Sequence, residues 1–166
     1  MRLSEFRVTR VFNLMAKVIS LREIISALEA ASDDFTSYLD PETGEVIVVT
    51  EEERVLAESK CWDGIPALQR EMMTKIRAAL EGDRWLELPD RSDIHEWSIM
   101  ERFSLAQNIE RIRTELLNAI YGTGAFRTFR SAIRRLGLEQ RWYQFLDEAL
   151  ADIGRSWLEE HKLQYM

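Results

Sequence analysis

Phe35-Thr36-Ser37-Tyr38-Leu39-Asp40-Pro41-Glu42-Thr43-Gly44-Glu45-Val46-Ile47-Val48-Val49 is the stretch that decides the fold. Its two arms are rich in aromatic and β-branched residues, the types that fit a pleated, half-buried surface. The middle is turn chemistry. Pro41 presets φ for the first turn position, and Gly44 accommodates the left-handed conformation that closes the loop. The stretch reads as an antiparallel hairpin over residues 35–49, the strongest β signal in the chain.

On both sides of the hairpin the pattern turns helical. Upstream, Ser20-Leu21-Arg22-Glu23 is a capping box, and Leu21, Ile24, Ile25 and Leu28 follow on one face. Downstream, Thr50-Glu51-Glu52-Glu53 is a second capping box. Its acids stand in a first turn, where the helix dipole favours them, so the charge run needs no metal to explain it. That helix is expected to reach about Lys60. Asp63-Gly64 breaks it, and Pro66 opens another that carries Leu68, Met72, Ile76, Ala79 and Leu80 and stops at Gly82.

Arg84-Trp85-Leu86-Glu87-Leu88 reads as a third strand, ended by Pro89. Two strands alone are marginal, so pairing it with the hairpin is the economical arrangement. Ser92 is then expected to cap a helix bearing Ile94, Trp97, Met100, Phe103 and Leu105. A second helix carries Ile109, Ile112, Leu116, Leu117 and Ile120, and a third spans 124–136. The last one aligns Trp142, Phe145, Leu146, Ala149, Leu150, Ile153 and Trp157. One early hairpin and one late strand among about six helices is an α+β pattern, not an alternating βαβ one. The expectation is a mostly helical single domain over 21–166 with a small antiparallel sheet (hairpin 35–49 plus strand 84–88), preceded by an extension, 1–20, as helix or arm. Met15 is an alternative start.

A chain of 166 residues is one domain by default. Its one cysteine, Cys61, excludes an intramolecular disulfide and a cysteine-based zinc site, and reads as a small apolar residue in a reducing cytoplasm. No run approaches the ~20 apolar residues of a membrane span. Asn13 and Lys17 interrupt what would be the core of a secretory signal. Net charge −7 argues against broad nucleic-acid binding, which draws its affinity from counterion release at a cationic surface.

Against that acidic background, Gly122–Leu150 carries five arginines (Arg127, Arg130, Arg134, Arg135, Arg141) and three carboxylates. On a helical wheel Phe126, Phe129, Ala132, Ile133 and Leu136 form one arc. Arg127, Arg130 and Arg134, at i, i+3 and i+7, line up on another, and Arg135 falls away from that line. Gly122, Thr123 and Gly124 precede the helix start, where exposed N–H groups and the dipole favour an anion. Arg127 stands close enough to add a forked donor. Gly122, Thr123, Gly124, Arg127, Arg130 and Arg134 are therefore the candidate anion or partner site. The competing explanation is an ordinary polar face, its arginines paired with the acids of the N-terminal half: Asp33, Asp34, Glu51, Glu52 and Glu53.

Other constellations are thinner. Trp142, Tyr143 and Phe145 beside Arg141 have the composition of a base-stacking strip, but the wheel puts Trp142 and Phe145 in the core and leaves Tyr143 and Arg141 for the surface. His95 lies near Asp93 and Glu96, in the first turns of its helix by this reading, with no second histidine to make a metal site. His161 reads as a solvated helix-end residue. Gly122–Arg127 lacks the Gly-Lys-Ser/Thr of a phosphate loop and follows a helix instead of a strand, so it is no dinucleotide fingerprint. No nucleophile-elbow motif, no calcium loop and no catalytic set is present, and no cofactor is called for.

Three blocks resemble a bacterial group, uncharacterised protein family 0158. They are S-Y-L-D-P-E-T-G-E-V-I at 37–47; R-W-L-E-L-P-D at 84–90 with I-M-E-R-F at 99–103; and L-L-N-A-I-Y-G-T-G-A-F-R-T-F-R at 116–130, followed by R-W-Y-Q-F-L-D-E-A-L and W-L-E-E. The resemblance covers roughly Leu21 to the C-terminus. It implies a compact bacterial domain and brings no activity or catalytic residue with it. The residues themselves favour a non-catalytic binding or regulatory module using the basic face of helix 124–136, with a protein partner or a small anion. A phosphate-ligand enzyme or sensor at Gly122–Arg127 is the alternative. Single-stranded nucleic acid on Arg130, Arg134, Arg141 and Tyr143 is the least favoured.

Overall fold

The computed structural model describes residues 17–59 and 62–166. Residues 1–16 of the expected extension 1–20, and Lys60 and Cys61, lie outside the described residues. In chain order the elements are α1 (Leu21–Glu29), β1 (Phe35–Leu39), β2 (Val46–Thr50), α2 (Glu51–Glu58), α3 (Ala67–Glu81), β3 (Leu86–Glu87), α4 (Arg91–Ile94), α5 (Glu96–Leu105), α6 (Glu110–Tyr121), α7 (Ala125–Arg135) and α8 (Glu139–Glu160). This is a mostly helical α+β architecture with a three-stranded antiparallel sheet in the order β2-β1-β3.

The hairpin closes as its chemistry dictates. Phe35 pairs with Thr50 and Leu39 with Val46. The loop beyond them is held by Asp40, whose N–H donates to Glu45 O at 2.8 Å and whose carbonyl accepts from Gly44 N at 2.7 Å. Gly44 sits at φ +71°, where a side chain would be strained. The Asp40 carboxylate is buried and accepts from Glu42 N at 3.0 Å, Thr43 Oγ1 at 2.8 Å and Arg84 Nε at 2.8 Å, with Arg84 Nη2 as a fourth donor. Arg84 thus fastens the approach to β3 onto the hairpin loop. The third strand is shorter than the residues 84–88 expected: only Leu86 and Glu87 pair, with Leu39 and Tyr38, and Leu88 N adds one bond to Ser37 O.

The sheet divides two apolar clusters. Ile47 and Val49 of β2 join Ala57 of α2 and Met73, Ile76 and Ala79 of α3 in the smaller one. Leu39 faces the larger one, built by α1 and α4–α8 around Phe103, Phe129 and Trp142. These three rings meet edge to face, at centroid separations of 4.9–6.3 Å, the arrangement their quadrupoles favour. Both ends of the described chain are tied together: Ile19 is buried and pairs in parallel with Tyr165, donating to Gln164 O at 2.8 Å. Ile19 therefore belongs to the main core.

Several local expectations are corrected. On α3 the buried residues are Met73, Ile76 and Ala79, while Met72 and above all Leu68, at 81%, are exposed; α3 packs on the small cluster, which needs only a narrow stripe. The cap before α4 is Asp90, not Ser92. Its Oδ1 accepts from Ser92 N at 2.7 Å and Asp93 N at 2.9 Å, and Asp93 returns the bond to Asp90 N, a reciprocal capping box. His95 does not lie inside a helix. It stands at φ +50° as the left-handed joint between the single turn α4 and α5. That joint leaves Trp97 and Leu105 exposed while Ile99, Met100 and Phe103 fill the core.

Candidate functional site

The arginine helix is delimited by two left-handed glycines. α6 ends at Tyr121 with Gly122 as its C-cap, and Gly124, at φ +72°, opens α7 without any side-chain cap. At the far end Gly137 (φ +66°) closes a Schellman motif: Leu138 N donates to Ile133 O at 2.9 Å and Gly137 N to Arg134 O at 3.1 Å. Phe129, Ala132 and Ile133 bury the inner face of α7. Phe126 is half-buried beneath the Arg91 guanidinium, 5.4 Å from the ring centroid.

Arg127, Arg130, Arg134 and Arg135 all occupy the exposed side of a helix that has no acid of its own. Their partners come from other elements, and none is an acid of the N-terminal half, so that expectation is corrected. Arg130 Nη2 stands 3.8 Å from Glu96 Oε1, at the start of α5. Arg134 Nε stands 3.4 Å from Glu139 Oε1, at the start of α8. Arg135 Nη2 reaches Glu115 Oε1 of α6 at 2.5 Å. This oxygen is shielded from solvent and accepts no well-aligned hydrogen bond, so Arg135 meets it as a charge. Arg127 has no carboxylate partner among the described residues.

The packing of α6 against α7 splits this set. Arg127 and Arg135 line a groove of about 560 Å³ between the two helices, together with Glu115, Asn118, Thr128 and Ser131, whereas Arg130 and Arg134 lie outside it. Sequence reading missed the groove residues on α6, since nothing local announces that Glu115 and Asn118 face α7. The spacing of Arg127, Ser131 and Arg135 at i, i+4 and i+8 was the available signal. Gly122, Thr123 and Gly124 are exposed on the turn between α6 and α7 and are not among the residues that line the groove. Arg141 and Tyr143 are exposed on the first turns of α8, whereas Trp142 is buried. His95 is exposed beside Glu96 and is not brought among the arginines' donors.

The model of an uncharacterised protein family matches residues 15–166, and so takes in the hairpin, the Asp90 cap and the whole α6–α8 unit. The chain belongs to the Uncharacterised protein family (UPF0158). No curated protein and no solved structure matches it. The UPF0158 match carries no activity to this chain, so the chemistry of the surface has to be read from its own residues.

A second, larger groove of about 650 Å³ lies between the β3–α4 turn, α5 and the C-terminal half of α8. Leu88, Pro89, Ile153 and Trp157 form its floor, and Glu87, Asp93, Arg102, Asp152 and Glu160 its rim. His161 ends it, stacked on Trp157 at 4.3 Å with Nδ1 2.8 Å from Trp157 O. It draws on four elements, and no motif in the sequence foreshadows it. Among the described residues no three His, Cys, Asp or Glu side chains are grouped to hold a metal, and no helix is long and apolar enough to cross a membrane.

Proposed function

We propose that this UPF0158 member is a non-catalytic binding module that engages an acidic protein partner through the arginine face of α7, in the cytoplasm. One observation carries the reading: Arg127 is exposed, has no carboxylate partner among the described residues, and stands with Arg130, Arg134 and Arg135 on a helix free of acids. The loose pairs made by Arg130 and Arg134, at 3.8 and 3.4 Å, leave their remaining donors open. Charge-assisted, forked hydrogen bonds to carboxylates are what such donors offer. The test is differential capture. The wild-type chain and the Arg127→Glu/Arg130→Glu/Arg134→Glu variant are immobilised and challenged with cell lysate at low and high salt. The reading expects acidic proteins retained by the wild type, released by salt and absent from the variant. An identical set on both supports refutes it.

A second reading takes a phosphorylated small molecule at Gly122–Arg127. The uncapped start of α7 favours it, since the first N–H groups of the helix have no side-chain acceptor there. It predicts a rise in Tm with a sugar phosphate or nucleotide, and a flat screen counts it out. The strip needed for single-stranded nucleic acid is weakened by the burial of Trp142, which leaves Tyr143 alone to stack.

A further inference from the structure

We infer that the α6–α7 groove takes an extended acidic peptide, its carboxylates seated on Arg127 and Arg135. This rests on the reading of α7 as a contact surface for an acidic partner and names how that partner is held. Arg127, Ser131 and Arg135, at i, i+4 and i+8 of α7, line the same groove, with Asn118 of α6 also in its wall. At a rise of 1.5 Å per residue, Arg127 and Arg135 are about 12 Å apart along the helix. In an extended peptide, side chains four residues apart are about 13 Å apart and point to the same face. Two acidic residues at i and i+4 therefore match the spacing of the two arginine positions, and the three residues between them would lie over Ser131 and Asn118.

The groove also has the right polarity for a peptide backbone. Asn118 offers an amide donor and acceptor, and Ser131 a hydroxyl, both exposed and without a side-chain partner among the described residues. Thr128 spends its proton on Gly124 O at 3.1 Å and keeps its acceptor lone pair. Glu115 acts as a positioning residue: its contact at 2.5 Å fixes one Nη of Arg135 and leaves the other donors of the fork for the ligand. Arg127 needs no such hold, being the open charge. A nucleic-acid strand would also present anions at repeated intervals, but no exposed aromatic lines the groove to stack its bases.

The experiment is fluorescence anisotropy with labelled octaglutamate at low ionic strength. Arg127→Ala and Ser131→Glu are the groove variants and the Arg130→Ala/Arg134→Ala pair the outer control. Arg135→Ala is read alongside, but it strands the shielded Glu115 oxygen, and Ser131→Glu, on an exposed position, blocks the groove without that risk. The groove variants should each weaken binding roughly tenfold, the cost of a lost charge-assisted hydrogen bond, and the outer pair should change it by less than about threefold. As competitors, a five-residue peptide with glutamates at both ends should displace the probe better than one with adjacent glutamates, and inorganic phosphate or hexathymidylate should displace it poorly. If the outer pair abolishes binding while the groove variants do not, or the two five-residue peptides compete equally, the groove is wrong and the arginine face stands. If hexathymidylate is the better competitor, the acidic-peptide assignment is overturned. If wild type does not bind octaglutamate, the groove and the reading beneath it both fall.

Discussion

Asp40→Ala should cost this protein about 3 kcal/mol, because one carboxylate holds the hairpin loop and the third strand together. The side chain is 1% exposed and accepts from Glu42 N, Thr43 Oγ1 and two nitrogens of Arg84. The first two bonds contribute about 1 kcal/mol each on a net basis. The ion pair is discounted to about 1 kcal/mol because solvent reaches the guanidinium side, Arg84 being 47% exposed. Asp40→Asn keeps the shape and one acceptor, and should lose about 2 kcal/mol. Urea unfolding followed by tryptophan fluorescence reads both, with the slope m unchanged and the midpoint lowered. In a domain of this size 3 kcal/mol corresponds to a fall in Tm of roughly 6–12 °C. A midpoint for Asp40→Ala within about 0.5 kcal/mol of wild type would refute the argument.

The pH dependence follows from the same contacts. Burial pushes the Asp40 carboxyl up, but the hydrogen bonds from Arg84, Glu42 N and Thr43, with the Arg84 charge, outweigh it and hold the group below the usual carboxylate range. A carboxylate depressed in the folded state adds stability above its unfolded pKa, near 4, and loses it as pH falls through the lower folded value. The gap between wild type and Asp40→Asn should therefore be constant from about pH 8 to pH 5 and close below about pH 4. A gap that widens with acid would reverse the assigned sign.

Two further substitutions test the packing. Phe129→Ala removes a ring that is 0% exposed and lies edge to face with Trp142 at 4.9 Å; it should cost about 3–5 kcal/mol and flatten the near-ultraviolet circular dichroism, and a loss under about 1 kcal/mol would show that the aromatic cluster is not the core. At Gly154 an added Cβ would sit 3.2 Å from Ile24 Cγ2 of α1. The gain of about 1 kcal/mol from alanine's helix propensity should nearly offset the crowding in Gly154→Ala, while Gly154→Leu should lower stability by about 1–3 kcal/mol; equal Tm values for the two variants would mean that α1 does not pack closely there.

What could be read from the sequence was whatever local chemistry determines. The hairpin, the Thr50 capping box and the glycine-bounded arginine helix each depend on residues a few positions apart, and each is present. Trp142 went to the core because its place on the wheel is set by the same helix. The Asp90 cap was legible too, since Asp90 and Asp93 have capping-box spacing, but the reading stopped at the nearer serine. Left-handed His95 was not legible: no rule places a non-glycine residue at positive φ without knowing that α4 and α5 must turn against the core. The depth of α3 was not legible either, for exposure of Leu68 depends on how little of the protein lies beside that helix. At the site, the line of Arg127, Arg130 and Arg134 follows from helical spacing. The division of the arginines between an outer face and a groove needs α6, whose Glu115 is separated from Arg135 by the turn at Gly122–Gly124.

That division bears on why Arg127 is there at all. Arg134 and Arg135 sit in the last turn of α7, where cations favour the helix dipole, and each has a carboxylate beside it. Arg130 has Glu96. Arg127 lies in the first turn, at the positive end of the dipole and three residues from Arg130, with no compensating acid among the described residues. Both terms oppose it by roughly a few tenths of a kcal/mol each, and an exposed glutamine or glutamate would solvate the same face at lower cost. Of the four arginines, Arg127 is therefore the one from which folding gains least, and a contact with an external anion is the simplest physical compensation. Arg127→Gln should therefore leave the Tm unchanged or slightly higher while weakening octaglutamate binding. A lower Tm would mean that Arg127 serves the fold after all.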